Sequence, residues 1–226
     1  MSHALSAPHG LAGGSQHDSH PTTTGIPNRK LALWTLIGSE CLFFASLIST
    51  YLVYKGKSLV GPLPHTESQC MLHGKMQTCE RIFEIPLVTT GTAVLLFSSF
   101  FIVLALYGAQ KGNRKMLVGW LSATVLAGMF FVGMQVYEFQ HFYHKGMGYG
   151  TNLFSSTFFT LTGFHGTHVA IGVFWLGSLV THSFRGRLHQ GHSLLVEIAG
   201  LYWHFVDIVW IYLFPLLYLI DRRPGA

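Results

Sequence analysis

Long hydrophobic runs separated by short polar segments dominate the chain between about residues 30 and 220. The runs cover approximately residues 30–54, 86–108, 116–138, 154–182 and 194–220. Each reaches the ~20 residues that a helix needs to cross the hydrocarbon layer of a bilayer. The pattern therefore predicts an all-α protein, a polytopic membrane bundle of five transmembrane helices, in which no sheet is expected.

The amino-terminal segment has a different character. It is rich in Ser, Gly, Thr, Pro and His and has no apolar stretch of the kind found in a signal peptide. Such a composition cannot bury enough apolar surface to fold. The sequence predicts a disordered, His-rich tail over residues 1–28, followed by a membrane domain over residues 29–222.

Charge is scarce and lies at the ends of the hydrophobic runs. Only 10% of the residues are charged and the formal net charge is +5, so the basic residues fit positions beside lipid headgroups and give no support to nucleic-acid binding. Lys and Arg near the spans are equally numerous on the two sides, but several on one side lie in the long loop. Because short loops determine orientation most strongly, we expect a cytoplasmic amino terminus.

Three ionisable residues fall at a similar depth near the middle of the predicted spans. Glu40 lies ~15 Å along its helix from Lys30, at ~1.5 Å per residue, and His204 and His165 have similar depths in their own spans. Such groups are costly in lipid and often functional, yet they also form structural hydrogen bonds between helices. For His165, His168 and His204 the structural interpretation is favoured. For Glu40, which has no partner close in sequence, both interpretations remain open.

Two further polar pairs have a spacing of three residues, which places each pair on one helix face. His204 and Asp207 could share a proton, although a structural link to a neighbouring subunit is the favoured interpretation. Gln135 and Glu138 lie at the far end of the third span. We therefore expect Glu138 to be in water and to have a structural role.

Metal and redox sites find little support in the sequence. Glu40, His165, His168 and His204 could supply ligands, but the chain lacks the repeated HxxHH clusters of membrane di-iron enzymes, and His141 and His144 are expected in a loop. No metal site is predicted.

The three cysteines form no CxxC pair. Cys41 is expected to be a buried free thiol. Cys70 and Cys79 lie in the loop after the first span, where a disulfide and two free thiols remain alternatives.

Four segments together resemble subunit III of haem–copper oxidases. They are residues 38–44 (GSECLFF), 135–139 (QVYEF), 156–172 (STFFTLTGFHGTHVAIG) and 202–210 (YWHFVDIVW). The resemblance extends over roughly residues 30–220. It implies an accessory subunit without metal, within a terminal oxidase that reduces dioxygen to water and pumps protons, typically cytochrome c oxidase.

The resemblance also implies partners and a site. The haems and copper would reside in partner subunits, with subunit I, subunit II and a small subunit IV as protein partners in a bacterial plasma membrane. Glu40 falls on the family's buried carboxylate, which lies beside bound phospholipid, so Glu40, His165 and His168 are candidate residues for a lipid or buried-carboxylate site. His204, Asp207, Gln135 and Glu138 are candidate structural polar residues.

Two points leave the function less specific. Long members of the family have seven helices, the first two forming a wall of a lipid-filled cleft, whereas this chain has five, as short bacterial members do. The same motifs also occur in quinol oxidases and in partners of nitric oxide reductases.

A stand-alone proton channel or transporter is a further alternative, although the internal repeat or broken spans typical of such proteins are not evident.

Overall fold

The fold is seen in a computed structural model, which describes residues 27–55, 57, 68–72, 75–79, 85–186 and 193–220 and, for the two short segments at 68–79, only the backbone. Five long helices follow one another along the chain. They are α1 (Asn28–Tyr54), α2 (Ile85–Gln110), α3 (Arg114–His144), α4 (Leu153–Phe184) and α5 (Ser193–Phe214). All five are long and apolar enough to cross a membrane, so the all-α fold class is confirmed. Most of the predicted tail lies outside the described residues.

The loop between α1 and α2 contains a feature that the hydrophobic pattern did not predict. Strands β1 (Ser68–Leu72) and β2 (Lys75–Cys79) pair as an antiparallel hairpin, so the expectation of no sheet is wrong for this loop. The backbone register places Cys70 opposite Gln77 and Cys79 opposite Ser68. The cysteine side chains lie outside the described part of the chain, and the disulfide stays a prediction.

The helix ends have local causes. Asn113 and Asn152 precede α3 and α4, and each accepts a hydrogen bond on its side chain from a backbone N–H of the first turn. Gly112 has a φ of 67°, a left-handed conformation that favours glycine. It closes the short turn between α2 and α3, which makes these two helices antiparallel neighbours.

Helix α3 is longer than its hydrophobic run predicts. It continues past Glu138 for six residues to His144, because Phe142 is fully buried and Phe139 packs against the core in the added turns. His141 and His144 are therefore helical, and the expectation that they lie in a loop is wrong. The prediction ended the span at a charged residue, whereas the buried face of the helix continues beyond that residue.

Helices α4 and α5 occupy the centre of the bundle. α4 contacts α1, α3 and α5, while α5 contacts α1, α2 and α4. Two tryptophans of α5 fill the interior and have their indole N–H groups satisfied, because Trp203 donates to Ser98 Oγ at 2.9 Å and Trp210 donates to Thr92 Oγ1 at 2.9 Å. Buried aromatic rings with satisfied polar atoms give close packing without an unpaired donor.

Helix α1 lies at the edge of the bundle and is attached to it at both ends. Only Leu33, Phe44 and Tyr51 of α1 are buried. Near its start Lys30 forms an ion pair with Glu197 of α5. Just past its end, Lys55 Nζ donates to the backbone oxygens of Leu216 and Ile220, at 2.9 and 2.6 Å.

The two backbone oxygens that accept hydrogen bonds from Lys55 lie in and just after an irregular turn. Residues Pro215–Leu219 form a single π-helical turn that continues α5. The last carbonyl groups of a helix have no partner within it and carry partial negative charge. The ammonium group of Lys55 therefore ties the end of α1 to the end of α5.

Candidate functional site

A carboxylate and an imidazole meet between α1 and α4. Glu40 Oε2 lies 3.1 Å from His168 Nε2. Glu40 has no partner close in sequence, and its partner in the fold is His168, which α4 brings against α1. The side chains of Glu40 and His168 are 25% and 16% exposed, so the pair lies at the surface of the bundle.

The other ring nitrogen of His168 restricts how the pair can be protonated. His168 Nδ1 lies 2.7 Å from the backbone oxygen of Phe164 and must donate to it, since a carbonyl oxygen only accepts. Nε2 then either donates to a carboxylate or accepts a proton from a carboxylic acid. In both forms one proton lies between Glu40 and His168 and the pair carries no net charge. Such an arrangement is suited to an environment with little water.

Aromatic rings surround this pair. The ring of Phe44 lies edge-on to His168 with 5.1 Å between centroids, and Phe43 packs edge-on against Phe164 at 5.1 Å. Tyr202 of α5 donates to the backbone oxygen of His168 at 3.1 Å. The rings and the tyrosine therefore fix the position of α4 beside Glu40.

His165 faces a different part of the molecule. It is fully buried, its Nε2 atom lies 3.2 Å from the backbone oxygen of Val206, and its ring stacks on Trp210 with 4.7 Å between centroids. Phe131 of α3 meets the same ring edge-on. Of the three predicted site residues, the structure brings Glu40 and His168 together and places His165 in the helix core.

His204 and Asp207 are not linked as the sequence pattern suggested. Asp207 is buried and its Oδ2 atom accepts a hydrogen bond from Ser99 of α2 at 2.6 Å. Its partner is therefore on another helix of the same chain. His204 is half-buried and forms no hydrogen bond to any residue in the described ranges. Asp207 connects α2 to α5, whereas His204 is left on the outer side of α5.

Gln135 and Glu138 both lie inside the bundle. Gln135 Nε2 donates to the backbone oxygen of Thr162 at 2.8 Å. Gly166 leaves room for this side chain, because a Cβ atom there would lie 2.6 Å from Gln135 Oε1. Glu138 is 4% exposed and accepts a hydrogen bond from Tyr218 at 3.0 Å. The expectation that Glu138 is in water is wrong, because α3 continues beyond it and Tyr218 covers it.

Several partners could not be found from the sequence. Ser99, Tyr218 and the carbonyl acceptors of Lys55 carry no local signal, since serine, tyrosine and backbone oxygens are common in membrane helices. Lys30 and Glu197 gave a usable signal, because opposite charges stand near the same end of two predicted spans. Cys41 was expected to be buried, but it is exposed on the outer side of α1.

Metal ligation was also considered. Within residues 27–55, 85–186 and 193–220, no three His, Cys, Asp or Glu side chains are arranged so that they could hold a metal ion together. The absence of a metal site from the whole chain stays a prediction.

The helices and their intramembrane polar contacts define an integral membrane protein in which buried polar side chains such as Asp207 and Gln135 join different helices. A family model described as cytochrome c oxidase subunit III matches residues 13–221. The chain belongs to the cytochrome c oxidase subunit III family, whose members are subunits of terminal oxidase complexes.

Three relatives illustrate the range of this family. The chain is 36% identical over 193 residues to cytochrome c oxidase subunit 3 of Bacillus sp. (strain PS3), covering 85% of this chain and 86% of the relative. It is 38% identical over 191 residues to quinol oxidase subunit 3 of Bacillus subtilis (strain 168), with coverage of 84% and 86%. It is 35% identical over 207 residues to cytochrome bo(3) ubiquinol oxidase subunit 3 of Pseudomonas aeruginosa, with coverage of 92% and 91%. Relatives of both electron-donor types are therefore similarly close.

Proposed function

We propose that this chain is the accessory subunit III of a proton-pumping cytochrome c oxidase in a bacterial plasma membrane. It packs on subunit I, the haems and copper reside in partner subunits, and subunit II and a small subunit IV complete the complex. The match to the family over residues 13–221 is the observation that carries this proposal. A quinol oxidase is the second candidate, supported by the 38% identity to the Bacillus subtilis quinol oxidase subunit.

We further propose that phospholipid binds along the α1–α4 contact. Beside this contact lies a small cavity of about 120 Å³, lined by Leu47, Thr50, Ser156, Thr157 and Thr160. The threonine hydroxyls donate to carbonyls of their own helices. Their methyl groups and the lone pairs of the hydroxyl oxygens therefore remain available to contact a lipid. The hydrogen-bonded Glu40–His168 pair is compatible with an acyl chain, because it exposes no net charge to hydrocarbon.

For the orientation, we propose a cytoplasmic amino terminus. Lys111, Arg114 and Lys115 in the short loop between α2 and α3 support it, since basic residues in short loops favour the cytoplasmic side. Labelling single cysteines in intact cells with an impermeant reagent tests the orientation. A cysteine at the exposed position Gln110, at the end of α2, should be protected, and one at Gly148 should react.

Purification from native membranes tests the function itself. A tagged chain extracted in mild detergent should co-purify with haem, copper and oxygen-reducing activity. The same complex should then be supplied separately with reduced cytochrome c and with quinol. Oxidation of cytochrome c supports the first candidate and oxidation of quinol supports the second. A tagged chain that is free of haem and catalyses proton flux alone would indicate a transporter instead.

A further inference from the structure

The outer side of α2 and α5 combines apolar and polar residues near the middle of the membrane. Leu96 and Val103 of α2 and Ile208 and Ile211 of α5 are all between 42% and 52% exposed. Ser99 of α2 and His204 of α5 are half-buried. Ser99 lies between Leu96 and Val103 along α2, and His204 lies one turn before Ile208 along α5. The Ser99–Asp207 hydrogen bond holds these helices together. The face formed by Leu96, Ser99, Val103, His204, Ile208 and Ile211 is here called the α2–α5 face.

His204 is the unusual member of this face. Exposed hydroxyl groups of α1 satisfy themselves within their own helix, as Ser39 donates to the backbone oxygen of Leu36 at 2.7 Å and Ser49 to that of Ala45 at 2.8 Å. His168 likewise donates to a carbonyl one turn earlier. His204 makes no hydrogen bond of either kind with the described residues. Its imidazole therefore retains both a donor and an acceptor toward the outside.

Hydrocarbon is a poor environment for such a group. A polar group transferred without a hydrogen-bond partner into an apolar medium is strongly disfavoured. Water is not present at this depth to substitute for a partner. Ionisable residues inside spans therefore almost always face a bundle interior or a water-filled cavity, or pair with another polar group, as Glu40 does with His168. By contrast, the exposed residues Leu126, Met129, Phe130 and Val136 on the outer side of α3 are apolar and suit lipid, with Tyr137 as the exposed residue beside Val136 that carries a hydroxyl group.

We propose that the α2–α5 face docks against a membrane-spanning helix of another oxidase subunit, and that this helix presents a hydrogen-bonding side chain to His204. The inference rests on the proposed function and adds which face binds and what chemistry it requires. The apolar residues around His204 exclude water from that hydrogen bond. Asp207, one turn further along α5, serves the α2–α5 contact within the chain.

Photocross-linking within the assembled complex tests the face. Benzoylphenylalanine is placed at Ile208, or at Val136 of α3 as the control, because both side chains are 52% exposed. The Ile208 variant should give a covalent adduct with another subunit of the oxidase, identified by mass spectrometry. The Val136 variant should give lipid adducts or none. Lipid adducts alone at Ile208, an adduct with a second copy of this chain, or the subunit adduct at Val136 would overturn the proposal.

Two substitutions of His204 test the hydrogen bond. His204→Gln keeps a donor and an acceptor, whereas His204→Leu keeps only the bulk. The haem-to-subunit ratio after tagged purification should stay near that of the unmodified chain for His204→Gln. For His204→Leu it should fall about tenfold, the change in binding that ~1.4 kcal/mol produces. Equal retention of haem in both variants would overturn the role of His204.

The controls separate this proposal from its premise and from misfolding. If the unmodified chain co-purifies without haem, the proposed function fails before the face is tested. If it carries haem, the substitutions report on the face alone. The His204→Leu subunit, heated in detergent, should unfold at the same temperature as the unmodified subunit. A lowered unfolding temperature together with loss of haem would assign His204 to the chain's own fold and overturn the proposal.

Discussion

Glu40 Oε2 and His168 Nε2 lie 3.1 Å apart, and this contact joins the edge helix α1 to the central helix α4. Because His168 Nδ1 is committed to the backbone oxygen of Phe164, the contact holds one proton and no net charge. The pair therefore places a carboxyl group and an imidazole at the surface of the bundle without a net charge.

Replacing Glu40 by Gln should preserve assembly and reduce turnover only slightly. The amide has almost the same shape and can still hydrogen-bond to His168 Nε2, but it cannot exchange a proton with the ring. Haem content and oxygen consumption of the purified complex measure the two effects. Failure of the Glu40→Gln complex to assemble would show that the carboxyl group itself is required for the α1–α4 contact.

Replacing Asp207 by Ala should loosen the contact between α2 and α5. The change leaves the Ser99 hydroxyl without its acceptor at 2.6 Å, and an unpaired buried polar group costs ~1–3 kcal/mol. Asp207→Asn is the matched control, since its amide oxygen can still accept from Ser99. The unfolding temperature in detergent should be well below that of Asp207→Asn for the Asp207→Ala variant. Equal stabilities would mean that this hydrogen bond contributes little.

Replacing Gly128 by Ala should destabilise the bundle core. A Cβ atom at Gly128 would lie 2.5 Å from the Trp203 ring, and that ring is fixed by its bond to Ser98. Overpacking of this kind typically costs ~1–3 kcal/mol. Gly133→Ala on the same helix is the control, because nothing lies within 4 Å of its added carbon. The Gly133 variant should be as stable as the unmodified chain or slightly more so.

Replacing Lys55 by Met should release the end of α1 from α5. Two carbonyl groups would lose their donor, while the apolar stem of the side chain is retained. Protease cleavage in the residues just after α1 should become faster in the purified complex. Lys57→Met, two residues away, is the comparison and should leave the cleavage rate unchanged. Equal acceleration in both variants would attribute the effect to loss of charge rather than to these hydrogen bonds.

The sequence predicted helices well because length and hydrophobicity suffice to define a membrane span. It predicted the end of α3 poorly, because Glu138 looked like a boundary while Tyr218, distant in sequence, covers it. It identified Glu40 and His168 as candidates but could not pair them, since helix rotation and neighbour choice are set by packing across the bundle. The spacing of His204 and Asp207 correctly placed both residues on one helix, yet the hydrogen-bond donor to Asp207 is Ser99 of α2.

The contacts that attach α1 to the bundle differ in how strongly salt weakens them. The Lys30–Glu197 contact lies at a membrane surface, with side chains 26% and 36% exposed, where salt screens charges over a Debye length of about 8 Å at 0.15 M. Higher salt on that side weakens this attachment, while the Glu40–His168 contact deeper in the membrane is screened much less. Raising the salt concentration therefore weakens the amino-terminal attachment of α1 before it weakens the Glu40–His168 contact.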